Sequence, residues 1–152
     1  MNSMRSQKAL VIDDDPASLF YLRHVLQRRG YEVQTYENPV HCPLYQCSGC
    51  PCSLQAGCPD LIVTDFNMPV INGVELLESS IKKGCRCRHL ALISGNGLLE
   101  TTLLRVAKYG TRYFSKPLDL DDFHSWLDRI ESEILHERDP TGVTKDGGGS
   151  GS

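Results

Sequence analysis

Short apolar runs alternate along the chain with longer stretches of helical period. Residues 8–12 (KALVI) form a continuous apolar run, the signature of a strand buried on both faces. Leu19, Leu22, Val25 and Leu26 then recur on one helical face. Asp15 and Pro16 read as cap and first helical residue, and Gly30, behind Arg28 and Arg29, reads as the stop. Residues 31–36 (YEVQTY) alternate and predict a more exposed strand near a sheet edge. After a break, residues 61–64 (LIVT) restore a buried strand. Residues 73–83 predict a helix with Val74, Leu77 and Ile81 on one face, and residues 90–93 (LALI) a fourth strand. Leu99, Leu103 and Val106 predict another helix stopped by Gly110. Residues 113–115 predict a short fifth strand, and Phe123, Trp126, Leu127, Ile130 and Ile134 a final amphipathic helix. Five strands alternating with helices predict a single α/β domain, doubly wound around a parallel sheet covered on both faces.

The break spans residues 38–59, where prolines, glycines and cysteines crowd together and no regular helix can run the full length. From about Asp139 the chain turns polar and ends in GGGSGS, so residues 1–138 are expected to form the domain and 139–152 a flexible tail or linker. With 152 residues, 40% of them hydrophobic and 23% charged, the chain is globular and large enough to fold without disulfide staples. Sixteen basic against nineteen acidic residues leave a net charge of −3, which argues against direct nucleic-acid binding. No apolar run approaches the roughly 18 residues that a membrane crossing needs. The N-terminus lacks a signal-peptide cleavage site, so no membrane insertion and a cytoplasmic location are expected.

Ligands of parallel α/β sheets bind beyond the carboxyl ends of the strands. Asp13 and Asp14 close the first predicted strand, Asp65 the third, Ser94 the fourth and Lys116 the fifth. If the first and third strands are neighbours, three carboxylates meet in one cleft and raise one another's pKa. A hard divalent cation such as Mg²⁺ relieves that repulsion. With a lysine and a hydroxyl beside it, such a site is suited to stabilising a phosphoryl group. Each residue also has a plainer reading. An acid triplet after a strand can be a solvated loop with a helix cap, and Asp15 is taken as only that. The pair Lys116 and Pro117 can be a simple strand end, and Tyr113 an ordinary strand aromatic. Met68, Pro69 and Gly73 read as loop and helix-start geometry.

VIDDDP, DLIVTDFNMPVING, Ser94 with Gly95, and YFSKP together resemble the receiver domain of two-component response regulators, in the family's order and spacing apart from one insertion. The likeness covers roughly residues 8–136. It implies the flavodoxin-like strand order 2-1-3-4-5 and a non-enzymatic phosphorelay role. Asp65 would accept a phosphoryl group from a sensor histidine kinase or phosphotransfer protein. Asp14 and Asp65 would bind Mg²⁺, Asp13 would orient a metal-bound water, and Asn67 would offer its backbone carbonyl. Lys116 and Ser94 would stabilise the phosphoryl group, and Ser94 and Tyr113 would move as the switch. A downstream protein would then engage the face made by the helix after the fourth strand, the fifth strand and the final helix. No output domain follows, so the chain is expected to act alone or to be part of a longer protein.

The likeness fails at residues 38–59, where the family's second helix is replaced or disrupted. Cys42, Cys47, Cys50, Cys52 and Cys58 lie here, and Cys85 and Cys87 precede the fourth strand. If the implied sheet order holds, Cys58 and the Cys85–Cys87 loop meet at the amino edge, opposite the acids. Such thiols suit zinc or an iron–sulfur cluster, in a spacing that matches neither a standard zinc finger nor the usual ferredoxin run. Disulfides and inert buried thiols are the alternatives, as is a rival role for the whole chain as a metal- or redox-sensing interaction module. His41 and His89 neighbour the cysteines but are not counted as ligands. A Mg²⁺-dependent phosphohydrolase ranks third, lacking a second acid–base residue.

Overall fold

A computed structural model describes residues 7–42, 45, 58–95 and 97–138 of the chain. Five strands, β1 (Lys8–Ile12), β2 (Glu32–Tyr36), β3 (Leu61–Asp65), β4 (His89–Ser94) and β5 (Arg112–Ser115), form one sheet in the order β2-β1-β3-β4-β5. Every pairing is parallel. Between the strands run α1 (Pro16–Arg28), α2 (Gly73–Lys82) and α3 (Glu100–Ala107), and α4 (Leu120–Arg138) follows β5. This is the flavodoxin-like arrangement, with four helices among the described residues.

The order explains the double winding. From β1 the chain steps outward to β2, returns to β3 on the other side of β1, and continues outward to β4 and β5. Right-handed crossovers in opposite directions place their helices on opposite faces. Helix α1 therefore covers one face, packing against β1 and β2, while α2 and α3 cover the other. On that second face Leu10, Ile12, Ile62 and Leu90 pack with Leu76 and Leu77 of α2, and Val74 and Leu92 with Val106 of α3. The central strands β3 and β4 are buried at every position. The edge strand β2 is half exposed, as its alternation predicts.

Local chemistry sets the helix ends. Asp15 caps α1, its side chain accepting from the Ala17 N–H and the Ser18 hydroxyl. Asn72 and Glu75 form a reciprocal capping box at α2. Helix α2 ends at Gly84, whose φ of +96° is left-handed. The Gly84 N–H donates to the Ile81 carbonyl and the Cys85 N–H to the Ser80 carbonyl, which closes the helix and fixes the backbone of Cys85. Only Val106 of the α3 stripe is fully buried. Leu103 is half-buried, and Leu99, at 75% exposure, is the cap residue rather than part of the apolar face. After β2, Asn38 caps a 3₁₀ turn at Pro39–His41, and Tyr45 is helical. The rest of the interrupted segment, with Cys47, Cys50 and Cys52, lies outside the described residues, as does the polar tail.

The chain divides into two compact units, Met1–Pro117 and Leu118–Ser152. In the second, Asp119 starts α4 by accepting from the Asp122 and Phe123 amides. Phe123, Trp126, Leu127, Ile130 and Ile134 are its buried stripe, as the sequence period predicts. Among the described residues, no helix is long and apolar enough to cross a membrane.

Two positions near Asp65 carry backbone constraints. Gly73 opens α2 so close to β3 that a Cβ would run into the Asp65 carbonyl oxygen and the Leu92 side chain. Val70 has φ +74° and is 71% exposed, a left-handed conformation that a β-branched residue resists. Gly73→Ala should therefore destabilise the fold by about 1–3 kcal/mol, and Val70→Asn should stabilise it by about 1 kcal/mol. Urea unfolding of both variants measures this; an unchanged midpoint for Gly73→Ala would contradict the contact.

Candidate phosphoryl and metal site

Register brings the acids together. Strand β1 pairs with β3 so that Ile12 lies beside Thr64, and the next residues, Asp13 and Asp65, emerge together at the carboxyl edge. Oxygens of Asp13, Asp14 and Asp65 all lie within 4.8 Å of one another. Asp13 and Asp65 are buried and Asp14 is exposed. From the other side, pairing of β4 with β5 sets Ser94 beside Ser115, and the Lys116 N–H donates to the Ser94 carbonyl at 2.9 Å. The Lys116 ammonium then lies 3.1 Å from Asp65 Oδ1 and 3.3 Å from Asp13 Oδ2. Gly95 flanks the Lys116 stem, where an added Cβ would just touch it.

The sequence-predicted residues thus divide into those that meet and those that stand nearby. Asp13, Asp14, Asp65 and Lys116 form one cluster. Ser94 is buried one residue from it, held by the β4–β5 ladder. Asn67 lies exposed in the loop two residues after Asp65, and Tyr113 is half-buried on β5, paired with Leu92. One contribution escapes a reading of residue types. Asp15 caps α1 through its side chain, but its backbone N–H also donates to Asp13 Oδ1 at 2.9 Å and so anchors that carboxylate. Its acid triplet is the sequence signal, but which acid binds which amide depends on the turn.

Burial decides the electrostatics. Desolvation, then the Asp13 charge, raise the Asp65 carboxyl from 3.8 to about 6, against the opposing pull of Lys116. Burial also raises Asp13, more than its hydrogen bond from Asp15 and its pairing with Lys116 lower it. Burial alone would lower Lys116, but its pairing with Asp65 and Asp13 outweighs this and raises it. One ammonium does not neutralise three carboxylates. The surplus negative charge and the hard oxygen donors fit a divalent cation such as Mg²⁺.

Among the described residues this acid trio is the one set of three potential ligands close enough to hold a metal. Cys42, Cys58, Cys85 and Cys87 are thiols rather than disulfides and form no such set. The expected meeting of Cys58 with the Cys85–Cys87 loop is present, with the Arg86 N–H donating to Cys58 Sγ at 3.2 Å. Cys42 and Cys87 are buried in the apolar cluster beneath α2.

Residues 9–128 match the family model described as the response regulator receiver domain. The chain belongs to that family. This receiver domain is 27% identical over 78% of its length to the photosynthetic apparatus regulatory protein RegA of Rhodobacter capsulatus. It is 32% identical over 83% of its length to the DNA-binding transcriptional regulator NtrC of Azospirillum brasilense. It spans only 59% of that RegA and 24% of that NtrC. The solved response regulator receiver domain protein of Clostridium thermocellum shares the fold with a TM-score of 0.67 at 22% identity, over 85% of this chain and 98% of that one. Receiver domains are typically non-enzymatic signalling domains that use Mg²⁺ at an acidic pocket and work between histidine kinases and downstream effectors.

Because the folded state holds the Asp65 proton more tightly than the unfolded chain, it binds more protons between pH 3.8 and about 6. In metal-free buffer, stability should therefore be greatest at the acid end of that window and fall as pH rises through it, by up to about 3 kcal/mol. Asp65→Asn should flatten the slope and raise stability at neutral pH. Urea midpoints across the window test this; a midpoint that rises with pH in the wild type would refute it.

Proposed function

We propose that this receiver domain accepts a phosphoryl group on Asp65 from a cytoplasmic histidine kinase or phosphotransfer protein. The observation that carries this reading is the buried Asp65 carboxylate held 3.1 Å from Lys116 and within 4.8 Å of Asp13 and Asp14. An Asp65 oxygen attacks phosphorus as the bond to the donor imidazole nitrogen breaks, and the imidazole leaves with that electron pair. Asp13, Asp14, Asp65 and the Asn67 carbonyl would hold Mg²⁺, which would supply charge neutralisation for the transferring phosphoryl group. Lys116 balances the remaining charge on the product.

Once Asp65 is phosphorylated, Lys116 has a stronger acceptor than its two carboxylates, and Ser94, one β-ladder step away, supplies the hydroxyl. Movement of Ser94 toward the phosphoryl group makes room for Tyr113 to swing inward behind it. The shift changes the surface of α3 and β5, where Leu99 and Leu104 are 75% and 64% exposed. A downstream protein engages that apolar surface. The acceptor chemistry, the Mg²⁺ ligands and the partner surface are supported by family membership together with this geometry.

Acetyl phosphate with Mg²⁺ should add one acid-stable, base-labile phosphoryl group to the wild type and none to Asp65→Asn, read by intact mass. Asp14→Ala should weaken Mg²⁺ binding by at least about tenfold, because it removes one of three charged ligands. Lys116→Ala should leave Mg²⁺ binding largely intact but lose the Mg²⁺- and phosphoryl-dependent change in the amide spectrum of α3 and β5. Phosphorylation that persists in Asp65→Asn would end this reading.

A further inference from the structure

At the amino edge of the sheet, far along β3 from the acids, the Cys58 sulfur is held against the backbone that follows Cys85. Cys85 is the third residue past the end of α2, and its N–H is tied to the Ser80 carbonyl at 3.0 Å. Cys58 precedes β3, whose entry is pinned where Asp60 Oδ2 accepts from the Lys8 N–H at 2.8 Å and the Asp60 N–H donates to the Lys8 carbonyl. The Cys58 sulfur accepts the Arg86 N–H at 3.2 Å. That nitrogen is bonded to the carbonyl carbon of Cys85, so the Cys85 Cα lies within about 6 Å of the Cys58 sulfur. Both residues are half-buried.

The surroundings favour reaction. Exposed Lys82, Arg86 and Arg88 and half-buried Lys83 flank Cys85 in sequence. Asp60, two residues along the chain from Cys58, adds one opposing charge. Thiols that are partly exposed in an electropositive setting, and close to a second thiol, are the oxidisable kind. Cys87 is the contrast. It is buried, its thiol donates to the His89 carbonyl at 3.6 Å, and burial holds its proton well above the ordinary thiol range.

We propose that Cys58 and Cys85 are an oxidisable dithiol, closing under peroxide into a reversible disulfide that ties the entry of β3 to the end of α2. The Cys58 thiolate, its charge favoured by the Arg86 N–H, attacks one peroxide oxygen. The O–O bond breaks, the departing hydroxide leaves as water with the Cys58 proton, and a sulfenic acid remains. The Cys85 sulfur displaces the sulfenic oxygen, which leaves as a second water carrying the Cys85 proton. Two thiols lose two electrons in all and one peroxide gains them. The site is separate from phosphoryl transfer and shares no residue with it.

The full reduced chain, treated with one equivalent of hydrogen peroxide, then blocked with iodoacetamide and digested, should yield a Cys58–Cys85 cross-linked peptide that dithiothreitol removes. Cys85→Ser should lose the cross-link and leave a Cys58 sulfenic acid trapped by dimedone; Cys87→Ser should keep the cross-link. In the unmutated protein, iodoacetamide should modify Cys58 at least about tenfold faster than Cys87, a readout independent of any variant's folding. A cross-link from Cys58 to Cys47, Cys50 or Cys52, or equal alkylation of Cys58 and Cys87, overturns the proposal.

Discussion

Two buried carboxylates share one ammonium, and neither can be taken out of that arrangement without leaving a charge uncompensated. Asp13 and Asp65 emerge side by side because β1 and β3 are parallel neighbours in register. Lys116 reaches them because β5 closes the sheet two strands away and the Lys116 amide bonds the last residue of β4. The sheet order is therefore also the wiring of the site. Breaking a buried ion pair costs several kcal/mol, while the intact pair contributes little net stability. The cluster is better understood as a store of unfavourable charge that the fold tolerates. Asp65 is raised to about 6 first by burial and then by the Asp13 charge, even with Lys116 beside it. Any ligand that brings positive charge relieves the surplus, and that bias is what makes an otherwise destabilising acid cluster useful.

Backbone features around Asp65 belong to the same constraint. Helix α2 begins almost on top of β3, with the Gly73 N–H donating to the Phe66 carbonyl at 2.9 Å and no room for a side chain above the Asp65 carbonyl. The loop that makes this approach possible passes through Val70 in a left-handed conformation. Strain of this kind persists only where the surroundings over-determine it, and such positions concentrate at functional sites. Here the over-determination is visible: the capping box at Asn72 and Glu75 fixes the helix start on one side, and the β3–β4 ladder fixes the strand end on the other.

What the sequence made legible followed from pattern. The continuous runs KALVI, LIVT and LALI sit in β1, β3 and β4, and the glycines at positions 30, 84 and 110 each take positive φ just past a helix. Strand order is not contained in periodicity; it came from the family likeness, and the right-handed crossover rule makes it the natural outcome. The α3 stripe is less buried than its period predicts. In an eight-residue helix the apolar spacing is shared between core and surface, so Val106 goes in, Leu103 is half-buried and Leu99 stays out. Asp15 is legible as the cap of α1, but its backbone N–H anchoring Asp13 is not, because that contact depends on where the turn after β1 points three adjacent acids. The left-handed Val70 runs against its residue type, so no propensity argument could have found it.

The cysteines show the limit from the other direction, because topology predicted a meeting that composition could not define. Cys58 and Cys85 do converge, yet the described thiols supply a pair and not a metal's ligand set. That pair and the acid cluster occupy opposite ends of the same strand. Five residues of β3 extend roughly 17 Å, and closing two neutral thiols into a disulfide creates no net charge at the far end. Electrostatic coupling between the two ends is therefore weak, and a change at the thiols cannot act on Asp65 through its charge. The remaining route is mechanical. β3 is buried at every residue and bonded on both sides, so it transmits position rather than potential. A link fixed at its entry would restrain the same strand whose exit carries the acceptor carboxylate.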